Sequence, residues 1–313
     1  MESQPELFDR GPAAPVDLAP QASAAEPLAH RVPPGIRLGT SSWSFPGWEG
    51  LVYDRSATPG TLARHGLSAY ARHPLLRAVG VDRSYYEPLP ASVWRRYAEA
   101  VPDDFRFVVK ATRTLVTPGE PSCLDVARAR SEVVDPAATA LGAKLGAVLF
   151  QFPPTPSGAL GGPRAFAESL YRFLDAMPEG VPLAVEIRTP GWYTPDYRAA
   201  LDHGGASHGW VVHPRMLDLA AQRALGPPSA DRPTVIRWML APGASYEAAR
   251  EAWAPFDRLQ APDPDNREAV ARLALEAAAL GSPAMVVINN KAEGSSPASV
   301  IALAERLGAS PAS

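Results

Sequence analysis

Eight short apolar runs recur along the 313-residue chain, each ending in charged, amide or aromatic residues, with helix-like segments between them. They are IRLGTSSW (Ile36–Trp43), VGVDRSYY (Val79–Tyr86), FRFVVKATR (Phe105–Arg113) and GAVLFQFPP (Gly146–Pro154). Then follow PLAVEIRTPGW (Pro182–Trp192), GWVVHPR (Gly209–Arg215), TVIRWM (Thr234–Met239) and AMVVINNK (Ala284–Lys291). Apolar, β-branched runs of this length read as strands buried on both faces, the habit of parallel strands. Between them, apolar side chains three and four apart predict helices, among them Thr58–His73, Cys123–Leu141, Arg164–Met177, Arg215–Leu225 and Pro264–Leu280. Strand followed by helix eight times predicts an α/β chain closed into a (β/α)₈ TIM-type barrel. An open doubly wound sheet is the competing arrangement, but no GxGxxG follows the first run.

In such a barrel the C-terminal strand ends converge on one face, where chemistry is done. Asp82, Lys110, Gln151, Glu186, Arg188, Arg237, Asn289 and Asn290, far apart in sequence, are thereby expected to share one pocket. Glu186 and Arg188 lie two apart on one run and so face the same way. Glu186 is a candidate general acid or base, with Arg188 tuning it or gripping an anion; the plain alternative is a buried ion pair. Lys110 could serve as base, Schiff-base amine or anion clamp, or simply cap its strand. Asp82 could be a catalytic carboxylate or a partner for Arg83 or Arg188. Gln151, Asn289, Asn290 and Arg237 form a candidate binding set for a polar or anionic ligand, unless the amides only cap strand ends. Trp43, Tyr86 and Trp192 could stack on a ring or pack in the core. The GSSPAS turn before the last helix offers backbone N–H groups to a phosphate.

Composition narrows the ligand. With 30 basic and 33 acidic residues the chain has no global field for nucleic acid or membranes, so anion binding must be local to a cleft. A single cysteine, Cys123, rules out an internal disulfide and fits a reducing compartment. No apolar run nears the ~18 residues a membrane span needs, and the acidic N-terminus lacks a secretory pattern, so a cytoplasmic location is expected. There is no HExxH or His-x-His spacing, and neither metal nor redox cofactor is expected. Seven of the 35 prolines fall in Met1–Pro34, which with its Ala and acidic residues reads as a disordered arm ahead of a single barrel domain, 35–313. Within it Gln4-Pro5-Glu6-Leu7-Phe8 resembles the peptide by which bacterial proteins dock on the sliding clamp, with Gln4, Leu7 and Phe8 as anchors.

The strand motifs GTSSWSFPGWEGLVY, VGVDRSYYEPLP, FRFVVKATR, LGAVLFQFPP, AVEIRTPGW and INNKAEGSSPAS resemble those of the YecE-like family, a bacterial domain of unknown function. The resemblance runs from about Ile36 to about Leu307 and implies a TIM barrel while naming no reaction. One motif departs from it: the seventh run, where the family often shows Arg-aromatic-His-Gly, reads Arg237-Trp238-Met239. The residues together predict a hydrolase or lyase acting at the barrel mouth on a polar, anionic substrate, with phosphorylated metabolites and nucleic acid among the candidates. The alternative is a non-catalytic nucleotide- or DNA-binding barrel recruited to the replication clamp through its arm.

Overall fold

The computed structural model describes residues 16–156 and 158–309. Eight parallel strands close into a barrel in chain order. They are β1 (Ile36–Thr40), β2 (Leu76–Val81), β3 (Arg106–Lys110), β4 (Leu145–Phe152), β5 (Leu183–Ile187), β6 (Ser207–Val212), β7 (Thr234–Trp238) and β8 (Ala284–Ile288). β8 pairs with β1, so no edge is left open and the doubly wound alternative falls away. Among the described residues no helix is long and apolar enough to cross a membrane.

Alternation along each strand decides what reaches the site. Outward residues such as Phe107, Phe150, Val185 and Ile236 join the main core under the helices. Inward residues Val108, Leu149, Ala184, Val235 and Val287 fill the barrel as a separate small cluster. Two positions further along those strands stand Lys110, Gln151, Glu186, Arg237 and Asn289. The two-residue period therefore points them inward, at the C-terminal rim.

Two helices differ from their expected bounds. Cys123–Leu141 is broken into Val126–Ala129, a π turn over Arg130–Val134, and Asp135–Leu141. Pro136 has no N–H to give the carbonyl four residues back, and the wider turn absorbs the missing bond. The expected Arg215–Leu225 contracts to Leu219–Arg223, started by the Asp218 carboxylate accepting from the Ala221 N–H.

The arm also requires correction. The described part of Met1–Pro34 is folded against the barrel: Ala19 N–H donates to Val52 O at 2.9 Å, and a 3₁₀ turn over Pro20–Ala25 leads into Glu26–Ala29. Val16, Ala19, Ala22 and Ala25 are buried. Alanines three apart match the 3₁₀ repeat and let the turn lie flat, a signal that composition alone hides. Gln4, Leu7 and Phe8 lie outside the described residues.

Candidate active site

Glu186 is the centre of the mouth. Its side chain is fully buried, and each carboxylate oxygen takes one guanidinium: Arg188 Nε donates to Oε1, and Arg237 Nη1 to Oε2 at 2.8 Å. Arg237 Nη2 in turn lies 3.9 Å from Asp82 Oδ1, so Asp82 pairs there, while Arg83 goes to Glu87. Burial alone would raise the Glu186 pKa, but the two arginines outweigh it and hold it below its ordinary value. A carboxylate so engaged stays ionised and keeps both oxygens occupied, which suits it to fixing the arginines and not to trading protons.

Room for that carboxylate comes from the next strand. A Cβ on Gly209 would stand 2.9 Å from Glu186 Cβ and 3.2 Å from its Cα. Gly209→Ala is therefore expected to push β6 off β5 and cost about 1–3 kcal/mol in a denaturation experiment. An unchanged midpoint would show that the strands yield freely at this point.

Lys110 ends β3, where Ser84 Oγ donates to its carbonyl at 2.7 Å and fixes the strand terminus. Its Nζ sits 3.8 Å from the centre of the Tyr85 ring and has no hydrogen bond or ion pair among the described residues. Burial pushes the amine down, Arg237 and Arg188 add to this, and Asp82 and Glu186 oppose it, leaving the pKa at about 8.

Asp82, Tyr85, Lys110, Arg188 and Arg237 line a cavity of about 740 Å³ that also takes in Gln151, Tyr86, His213, Arg215, Tyr246 and Glu247, with Glu186 enclosed beneath it. The cations Lys110, Arg188, Arg215 and Arg237 meet the carboxylates Asp82, Glu186 and Glu247, an excess of one positive charge in an acidic chain. His213 is held neutral at pH 7, its pKa lowered to about 4 by burial and then by Arg188. Among the described residues no group of three or more His, Cys, Asp or Glu side chains is placed to hold a metal ion. A second cavity, about 490 Å³, opens at the opposite end, but its arginines are already engaged. Arg72 pairs with Asp17, Arg77 lies 3.6 Å from Asp104, and Arg37 donates to Asp104 O at 2.8 Å.

Several expected site residues are placed elsewhere. Asn289 is buried beneath the mouth, where its Nδ2 donates to Ser41 Oγ at 2.9 Å and to Tyr246 OH at 3.2 Å. Asn290 caps the last helix: its Oδ1 accepts from Ser296 N–H and Oγ, both at 2.8 Å, and from Trp48 Nε1 at 3.2 Å. The expected phosphate turn is thus closed from within. From without it is covered by the segment around Gln260, whose N–H donates to Glu293 O at 2.7 Å. Trp43 packs edge-on against Tyr97, and Trp192 stacks on Phe166 at 4.4 Å; both are buried away from the cavity. Tyr86 alone of the three stands at the rim, 80% exposed.

Arg215, Tyr246 and Glu247 carried no expectation from sequence, while Tyr85 was expected only as one of the aromatics at the strand ends and His213 only as a histidine at a strand end. His213 and Arg215 follow β6 at alternate positions and carried a usable period-2 signal. Tyr246 and Glu247 sit at the start of the helix Tyr246–Trp253 after a loop, where no strand period marks them.

The family model described as "Protein of unknown function DUF72" matches residues 37–313. A DUF72 protein of Enterococcus faecalis is 19% identical with a TM-score of 0.58, the match covering 89% of this chain and 97% of that one. Another, from Thermotoga maritima, is 18% identical with a TM-score of 0.55, covering 87% and 98%. At these identities the likeness is one of fold. No curated protein matches the chain. With nearly the whole barrel inside the match, the chain belongs to the DUF72 family.

Proposed function

We propose that the chain is an enzyme of the lyase or hydrolase type that seats a small polar anion in the barrel mouth and moves protons on it with Lys110. The observation that carries this reading is an amine with no hydrogen bond or ion pair among the described residues beside two guanidiniums held from beneath by one buried carboxylate, the amine and both guanidiniums facing one cavity. A general base works best when its pKa lies near the operating pH, and Lys110 at about 8 is the group that meets this. Glu186 takes a different part from the one its sequence position suggests. It holds Arg188 and Arg237 in place so that their remaining N–H groups, with Arg215, hold the anion.

Sulfate is the simplest test. It is expected to raise the melting temperature above that in chloride at matched ionic strength, and Arg215→Gln to lose most of that advantage. Arg215 is exposed, so this variant leaves the buried pairs intact. Equal sulfate effects on both proteins would mean general salting, with no clamp.

The exposed Tyr86 ring, 5.4 Å from Tyr85 at the same rim, supports a second reading in which the mouth binds a nucleotide without chemistry. Under it a nucleoside monophosphate should bind more tightly than sulfate, and Tyr86→Ala should abolish the difference. Equal binding of both would remove the ring from the site.

A further inference from the structure

The chain has 30 basic residues, and only three are lysine: Lys110, Lys144 and Lys291. Where charge alone is wanted, this sequence uses arginine. A lysine kept against that habit marks a place where arginine will not serve, and the two differ in ways that can be checked. Lys144 has a structural reason. Its ammonium donates to the carbonyls of Ala98 and Val101, both at 2.8 Å, and lies 3.3 Å from Asp103, a compact three-donor task that a planar fork does not fit. Lys291 is buried over the rings of Tyr246 at 4.2 Å and Phe256 at 5.4 Å and lies outside the cavity. Lys110 shares with Lys291 a place over a ring, but of the three lysines it is the one that opens on the cavity. Its amine faces the cavity, carries no hydrogen bond or ion pair among the described residues, and rests only on the Tyr85 face.

What an amine offers and a guanidinium does not is a nucleophilic lone pair. A ring beneath and two arginines near by favour an amine that is held still and discouraged from staying charged, although the ring's own pull on a cation works weakly the other way. The arginines also say what else the reactant carries. We propose that Lys110 forms an imine with a carbonyl compound whose anionic group is held by Arg188, Arg237 and Arg215.

The step balances within the protein, the reactant and water. The ammonium gives a proton to water, and the free amine adds to the carbonyl carbon as the C=O π pair moves to oxygen. The carbinolamine then loses that oxygen as one water, and a proton from solvent leaves a protonated imine. Net, one ammonium and one carbonyl give one iminium ion and one water, with no oxidant or reductant. The iminium draws electrons from the neighbouring carbon, the activation a lyase needs, so the inference rests on the reading above and deepens it.

The test traps the imine on the full chain with sodium cyanoborohydride near neutral pH. Two probes, each with a carbonyl and an anion, are glyoxylate and pyridoxal 5′-phosphate, with propanal as the uncharged comparison. One adduct per chain is expected, mapped to Lys110 and formed at least about ten-fold faster than at the N-terminal amine or at Lys144 and Lys291, neither of which lines the cavity that holds the probe's anion. Sulfate should slow it, and propanal should lack the preference. Lys110→Met should lose the adduct while keeping its melting-temperature response to sulfate. Mapping the wild-type adduct decides the matter even if that variant folds poorly. Labelling spread evenly over the amines, or none at Lys110 with either probe while sulfate still binds, overturns the imine and leaves the anion site standing. Loss of sulfate binding together with labelling overturns both.

Discussion

Glu186→Gln is expected to destabilise the barrel by about 3–5 kcal/mol, the usual effect of removing one partner from a buried ion pair. The amide keeps the shape of the carboxylate but supplies one acceptor oxygen and no charge, while Arg188 and Arg237 remain almost wholly enclosed. Two guanidiniums then face each other across a neutral group in the barrel interior. The loss should appear as a lower denaturation midpoint with an unchanged slope, since the same surface is exposed on unfolding. Adding Arg237→Met should cost less than the sum of the two single changes, because the second removes a charge the first has orphaned. A Glu186→Gln loss below about 1 kcal/mol, the range of exposed pairs, would mean that water screens this triad and that the carboxylate is free for another part.

The barrel was legible because its signals are local and repeated. Eight apolar runs alternating with helical segments leave few other ways to bury so much β-branched surface. The site was legible only as far as the strand period reaches. Lys110, Gln151, Glu186, Arg188 and Arg237 were found because strand ends in a barrel must converge, and they do line or underlie one mouth. Asn289 and Asn290 show where that logic stops. Adjacent residues at one strand end cannot both face the cavity, and which backbone groups their amides satisfy depends on a helix start six residues away. Trp192 ends a single 3₁₀ turn, Pro190–Trp192, beyond β5, and only the helical layer's Phe166, remote in sequence, decides that its ring packs inward. Within the triad the Glu186–Arg188 pair was open to sequence as an alternative, but the third member was not. Arg237 is 51 residues from Glu186, and their meeting turns an apparent acid or base into a clamp for two cations.

Lys110→Met is expected to stabilise the protein at neutral pH, by up to about 3 kcal/mol if each pKa unit counts about 1.4 kcal/mol. The amine falls from an ordinary 10.5 to about 8 in the folded chain, chiefly through burial and then through the nearby arginines, so keeping it charged there opposes folding. Its contact with the Tyr85 ring returns part of that cost, which is why the figure is an upper bound. The pH dependence separates this from a simple packing gain. Below about pH 8 the lysine is protonated in both folded and unfolded chains, so the advantage of methionine is constant. Between about 8 and 10.5 the unfolded chain binds the proton and the folded chain does not, and wild-type stability rises with pH. The advantage of methionine should therefore shrink across that window and be gone above it. Tyrosines that do not touch Lys110 titrate alike in both proteins and cancel in the difference, which leaves Tyr85 as the one to follow separately. A gap that stays constant from pH 7 to 11 would show that Lys110 titrates as an ordinary surface amine. A gap that closes would identify a lysine retained at the mouth at the expense of stability, as groups kept for chemistry commonly are.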